Sequence, residues 1–155
     1  MVTKYCNDTS YGTFDGKTDL EPEDDAASML WGGHWRTPSR AQALELLRSG
    51  YTKTSIIEKD GVTGCLVTGA KEGYTDKSIF LPFTGGKTAL SVKDSKSLTC
   101  TPADTCGCYW LRNGGEGINI AYFFNFRKNR RFDFYGNAQR NYGIPVRPVW
   151  QKKQK

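Results

Sequence analysis

Hydrophobic periodicity changes once along this 155-residue chain, near Gly50, and that single change constrains the fold more than any other feature. Before it, apolar residues recur at helical spacing; after it, threonine-, isoleucine- and aromatic-rich runs alternate between turn signals. Leu20–Leu30 reads as a first helix. Pro22 is tolerated in its first turn, Glu23, Asp24 and Asp25 complement the dipole, and Trp31-Gly32-Gly33 stops it. Arg40–Arg48 reads as a second helix, capped by Thr37, with Leu44 and Leu47 on one face and Gly50 at its end. Trp31 and Trp35 in the intervening turn are expected to anchor the core.

Strands are expected at Tyr51–Glu58, Gly61–Thr68, Ser78–Pro82, Cys108–Leu111, Asn119–Phe126, Arg130–Tyr135 and Ile144–Trp150. Thr84–Thr105 is polar and reads as a long loop. Helices followed by a run of strands indicate an α+β domain with a mostly antiparallel sheet. Residues 1–150 are expected to form that single domain, with 151–155 as a basic tail. Apolar runs fall far short of the ~20 residues of a membrane span, and the N-terminus has no apolar core of a signal peptide.

Charge divides unevenly. Residues 1–108 hold 12 Lys+Arg and 14 Asp+Glu, or −2, whereas 109–155 hold 10 and 2, or +8. A basic C-terminal third raises nucleic acid or glycosaminoglycan as partners, through Arg112, Arg127, Lys128, Arg130 and Arg131. No nucleic-acid motif accompanies it, so nucleic acid is the less favoured partner. Part of the excess is the Gln151–Lys155 tail, which reads more simply as solvated surface. Cys100, Cys106 and Cys108 could hold one short-loop disulfide or remain thiols. The single His34 lies too far away in sequence to complete a zinc set, and no cofactor is expected. With no Ser/His/Asp arrangement, an enzyme is not expected.

The C-terminal third also collects contact-making residues. Six of seven asparagines lie between Asn113 and Asn141, interleaved with arginines and aromatics. In Ala121–Arg127, alternation assigns Tyr122, Phe124 and Phe126 to the core and Phe123, Asn125 and Arg127 to the opposite face. An aromatic, an amide and a guanidinium side by side are what binding surfaces use. Turns attract asparagine too, which accounts for Asn113, Asn129 and Asn137, but not for Asn119 and Asn125 inside an expected strand.

The strings LEPEDDAASMLWGGHWRTPSRAQALELL, GVTGCLVTG, SIFLPFTGG, GCYW, AYFFNF and YGIPVRPVW occur in order across residues 18–150. Together they resemble the Fibrobacter succinogenes major paralogous domain, related to the C-type-lectin-like and formylglycine-generating-enzyme-like folds. The resemblance implies a C-type-lectin-like fold, two helices packed on a twisted, mostly antiparallel sheet with long loops. The tripeptides of calcium-dependent lectins are missing from the sequence, and Cys106 and Cys108 are no convincing match for a catalytic cysteine pair.

The last third also resembles the variable segment of proteins diversified by retroelements, in which adenine mutation randomises asparagine codons. Its frame would be Tyr109-Trp110, Ala121-Tyr122, Phe124, Phe126, Arg140, Gly143 and Val146–Val149. The in-between positions would contact ligand: Arg112, Asn113, Asn119, Phe123, Asn125, Arg127, Asn129, Arg131, Asp133, Tyr135, Asn137, Asn141 and Tyr142. This implies a non-enzymatic, calcium-independent receptor-type domain for a protein or glycan ligand, on a bacterial surface or phage particle. Val-Arg-Pro-Val reads as a fold determinant, with Arg147 paired internally. Oligomeric state is not encoded in any of these features.

Overall fold

The structure, a computed structural model, describes residues 2–6, 8–10, 12–89, 98–101, 105–115, 117, 119–128, 136–140 and 142–151. The chain is α+β, with two short helices and mostly antiparallel strands. It opens with β1 (Val2–Cys6) and β2 (Gly12–Phe14), which pair in parallel. A turn at 22–24 then leads to α1 (Ala26–Trp31).

This first helix is shorter than Leu20–Leu30, because Asp25 leaves the helical conformation to cap it. Its buried carboxylate accepts from Ala27 N at 3.0 Å and Ser28 Oγ at 2.9 Å. It also accepts from Thr37 N at 2.8 Å and Thr37 Oγ1 at 2.6 Å. Glu23 and Asp24 therefore lie outside the helix. Thr37, expected as a cap, instead ties the chain back to α1.

β3 (Trp35–Arg36) leads to α2 (Arg40–Leu46), capped by Ser39 in a reciprocal capping box with Gln42. Leu47 is buried, but Leu44 is exposed, so the two do not share a buried face.

β4 (Thr52–Lys59) and β5 (Val62–Gly69) form a hairpin around Asp60-Gly61. Both residues have positive φ, +52° and +76°, as a two-residue primed turn requires. β6 (Ser78–Pro82) adds to β5 with the bounds expected. The stretch expected as a long loop instead contains an antiparallel pair, β7 (Gly86–Ala89) with β8 (Leu98–Thr101).

β9 (Cys106–Gly114), β10 (Ile120–Arg127) and β11 (Gly136–Gln139) form the second three-stranded sheet, in the order β11-β10-β9. β11 falls where a connection was expected. Of the expected strand Ile144–Trp150, only β12 (Val149–Trp150) is a strand; it pairs with β3. The expected strand Arg130–Tyr135 lies outside the described residues.

The core lies between α2 and the two three-stranded sheets. Ala43 and Leu47 meet Cys65 and Val67 of β5, Leu81 and Phe83, Tyr109 and Leu111 of β9, and Phe124 and Phe126 of β10. The Tyr109 hydroxyl, donating to Pro82 O at 2.7 Å, links the sheets. Burial pushes its pKa up to about 12. No tryptophan belongs to this core: Trp31 is 57% exposed and Trp35 half-buried. Arg147, expected to pair internally, is exposed. Among the described residues no helix is long and apolar enough to cross a membrane.

Candidate functional site

β9 and β10 pair with Cys106 opposite Arg127, Gly107 opposite Phe126, Cys108 opposite Asn125, Tyr109 opposite Phe124 and Trp110 opposite Phe123. Directly opposed residues share a sheet face. Tyr109 and Phe124 stack at 5.1 Å on the core side, together with Phe126. The other side carries Cys106 and Arg127, Cys108 and Asn125, and Trp110 and Phe123. Tyr122 packs against the core cluster, so the face assignment of Ala121–Arg127 holds.

Trp110 and Phe123 meet edge to face, 6.2 Å apart at 89°. β11 sets Gly136 opposite Phe123. A Cβ there would come within 2.5 Å of the Phe123 ring, so only glycine leaves the ring its place. Asn125 is half-buried, and its Oδ1 is enclosed with no hydrogen-bond partner among the described residues. Such an acceptor costs about 1–3 kcal/mol unless something binds it. Arg127 stands exposed at the open end of the row.

The opposite end of this face is closed by the N-terminal segment. Arg112, half-buried, lines a cavity of about 300 Å³ with Tyr5, Asp24, Trp110, Ala121 and Arg140. The Arg140 guanidinium lies 5.3 Å over the Tyr5 ring and donates to Thr18 O. Burial lowers its pKa. Leu20 N donates to Arg112 O at 2.8 Å, fastening the segment along β9.

Phe123, Asn125, Arg127 and Arg112 are therefore brought onto one face, beside Trp110. Trp110, expected in the frame with Tyr109, instead joins this outer face. Alternation lets only one of two neighbouring strand residues enter the core, and that one is Tyr109.

Other expected site residues lie elsewhere. Asn113 is occupied internally: its Oδ1 accepts from Arg40 N at 2.7 Å and its Nδ2 donates to Asp19 at 2.8 Å. Asn119 is buried with φ +54°, so it ends a turn before β10, and left-handed backbone explains its asparagine after all. Asn137 is exposed but opposite Tyr122, and so on the other face from Phe123. Tyr142 is half-buried, its N–H donating to Gln139 O at 3.0 Å. Asn129, Arg131, Asp133, Tyr135 and Asn141 lie outside the described residues.

Cys6, Cys65, Cys106 and Cys108 are free thiols. The side chain of Cys100, the remaining member of the expected disulfide set, lies outside those described. The Cys106 and Cys108 sulfurs are 3.7 Å apart. Burial, then the neighbouring Cys106, pushes the Cys108 thiol up to about 12, with Arg127 pulling the other way. Protonated at neutral pH, it is a poor nucleophile. Among the described residues, no group of three or more His, Cys, Asp or Glu is placed to hold a metal ion.

Compared with protein-family models, with curated proteins and with solved structures, the chain finds no match.

Proposed function

We propose that the chain is a non-enzymatic, receptor-type binding domain with a C-type-lectin-like architecture, engaging a protein or glycan through the outer face of β9 and β10. The observation that carries this reading is the row Phe123, Asn125 and Arg127 beside Trp110, on two strands whose opposite face is the packed core. A rigid strand pair presents an aromatic anchor, a half-buried amide and an exposed guanidinium at little ordering cost. Catalysis by Cys108 is disfavoured by the protonated state of its thiol.

The row alternates frame and in-between positions, which supports diversification by a retroelement in a bacterial surface or phage protein. The test is to sequence the locus across a population of its source. Substitutions concentrated at Phe123, Asn125 and Arg127, with Tyr109, Phe124 and Phe126 constant and an asparagine-codon-rich near-copy close by, are expected. An invariant segment without such a copy refutes diversification and leaves a fixed binder.

The second reading is a polyanion binder, favoured by exposed Arg127 and Lys128 in the basic C-terminal third. It requires affinity that falls steeply with salt; salt-tolerant binding to one ligand excludes it.

A further inference from the structure

Three of the four tryptophans gather where the core does not need them. Trp35 touches both Trp31, with centroids 6.5 Å apart, and Trp150, at 5.5 Å edge to face. Trp31 and Trp150 nonetheless remain 57% and 56% exposed. Together with Arg147, Pro148 and Ile79 they line a cleft of about 640 Å³. That volume falls within the range of small-molecule sites. None of its lining residues belongs to the outer face of β9 and β10.

The rings sit on fixed backbone. β3 and β12 pair Trp35 with Trp150, and Gln151 N donates to His34 O at 2.9 Å. The Asp25 carboxylate clamps α1, which ends in Trp31, to Thr37. Arg36 is occupied in the same framework, donating to Trp35 O at 2.7 Å and Ser28 Oγ at 3.0 Å. Arg147, exposed, is the one charged residue lining the cleft among the described residues.

This combination specifies a ligand. Indole faces stack against flat or ring-shaped apolar bodies. They also attract cations, but Arg147 already supplies the positive charge and opposes a second. Arg147 also borders the adjoining cavity that Glu45 lines, but among the described residues the cleft itself carries no carboxylate, so on this side the guanidinium prefers an anionic oxygen pair.

We propose that the Trp31–Trp35–Trp150 cleft binds a carboxylate carried on a ring, the ring stacked on indole and the carboxylate on Arg147. Two sources share this chemistry, aromatic acids and uronic-acid sugars.

The test is tryptophan fluorescence of the full chain titrated with benzoate, with a galacturonate oligosaccharide, and with the methyl ester of each. Saturable change with at least one acid, and at least tenfold weaker change with its ester, is expected; which acid responds identifies the source. Arg147→Gln should weaken binding roughly tenfold. Trp31→Ala should weaken it at least as much, with Trp31→Phe partly restoring it and guarding against a folding defect. Lys53→Gln, which removes a positive charge from an exposed position of β4, should leave the response in place. No response to either acid overturns the proposal, as does an ester that binds equally well. A fluorescence change that follows protein concentration, with dimers in sedimentation, overturns it by making the face a contact between two copies.

Discussion

Replacing Asn125 with valine should make the protein more stable, because the amide is held at a cost the fold does not require. Its Oδ1 is enclosed without a partner among the described residues, in the middle of β10. An unsatisfied buried acceptor costs about 1–3 kcal/mol, and valine suits a strand better than asparagine by a fraction of ~1 kcal/mol. Some of the gain is lost to imperfect packing against Cys108, the residue opposite. A net gain of about 1–2 kcal/mol remains, or roughly 3–6 °C in Tm for a domain of this size. Guanidinium denaturation would measure it, with an unchanged m value showing that the folded and unfolded states are otherwise alike. Phe124→Ala, one residue away but in the core, should lose about 3–5 kcal/mol in the same assay. Equal or lower stability of Asn125→Val would refute the reasoning, since the amide would then serve the fold and not a ligand.

Three further outcomes follow from other sites. Asp25→Ala removes the α1 cap and leaves the buried donors of Thr37 and Ala27 unpaired. It should cost about 3–5 kcal/mol in chemical denaturation. Cys65 and Cys108, both held near 12 by burial, should react with a thiol reagent at pH 8 on the order of a thousandfold slower than an exposed cysteine, and at the ordinary rate once the chain is unfolded. The Asp24 carboxylate lies below its ordinary value of 3.8, held down by the Lys4 ammonium and then the Tyr5 hydroxyl. A depressed folded-state value contributes stability above the unfolded value and loses it as pH falls through the folded one. Asp24→Asn should therefore flatten the decline of stability below pH 3.8 in an acid titration followed by circular dichroism.

What the sequence made legible was local. Asp60-Gly61 marks a hairpin because few other pairs accept two positive φ values, and Ser78–Pro82 is a strand closed by its own proline. The alternation in Ala121–Arg127 assigned Phe124, Phe126 and Arg127 to their faces because a strand has only two.

What escaped depended on partners distant in the chain. The first helix is shortened because Asp25 finds Thr37 twelve residues away. Asn113 is consumed by Arg40 and Asp19, which no local pattern announces. Asn119 reads like a strand residue until its positive φ shows the turn before β10. Trp31 and Trp35 were expected inside by hydrophobicity alone; instead Trp31, at the end of α1, lies on the surface and Trp35 is half-buried, edge to face with Trp150.

If binding runs through the outer face of β9 and β10, as proposed, the side chains of that face decide affinity. The most direct measurement is a glycan and extracellular-protein array probed with the native chain and with a Phe123→Ala, Asn125→Ala, Arg127→Ala triple variant, both checked for folding. The expected result is a ligand that the native chain holds and the triple variant loses by at least a hundredfold, because aromatic and arginine anchors each contribute about 2 kcal/mol or more. A ligand bound with equal affinity by both proteins would contradict it.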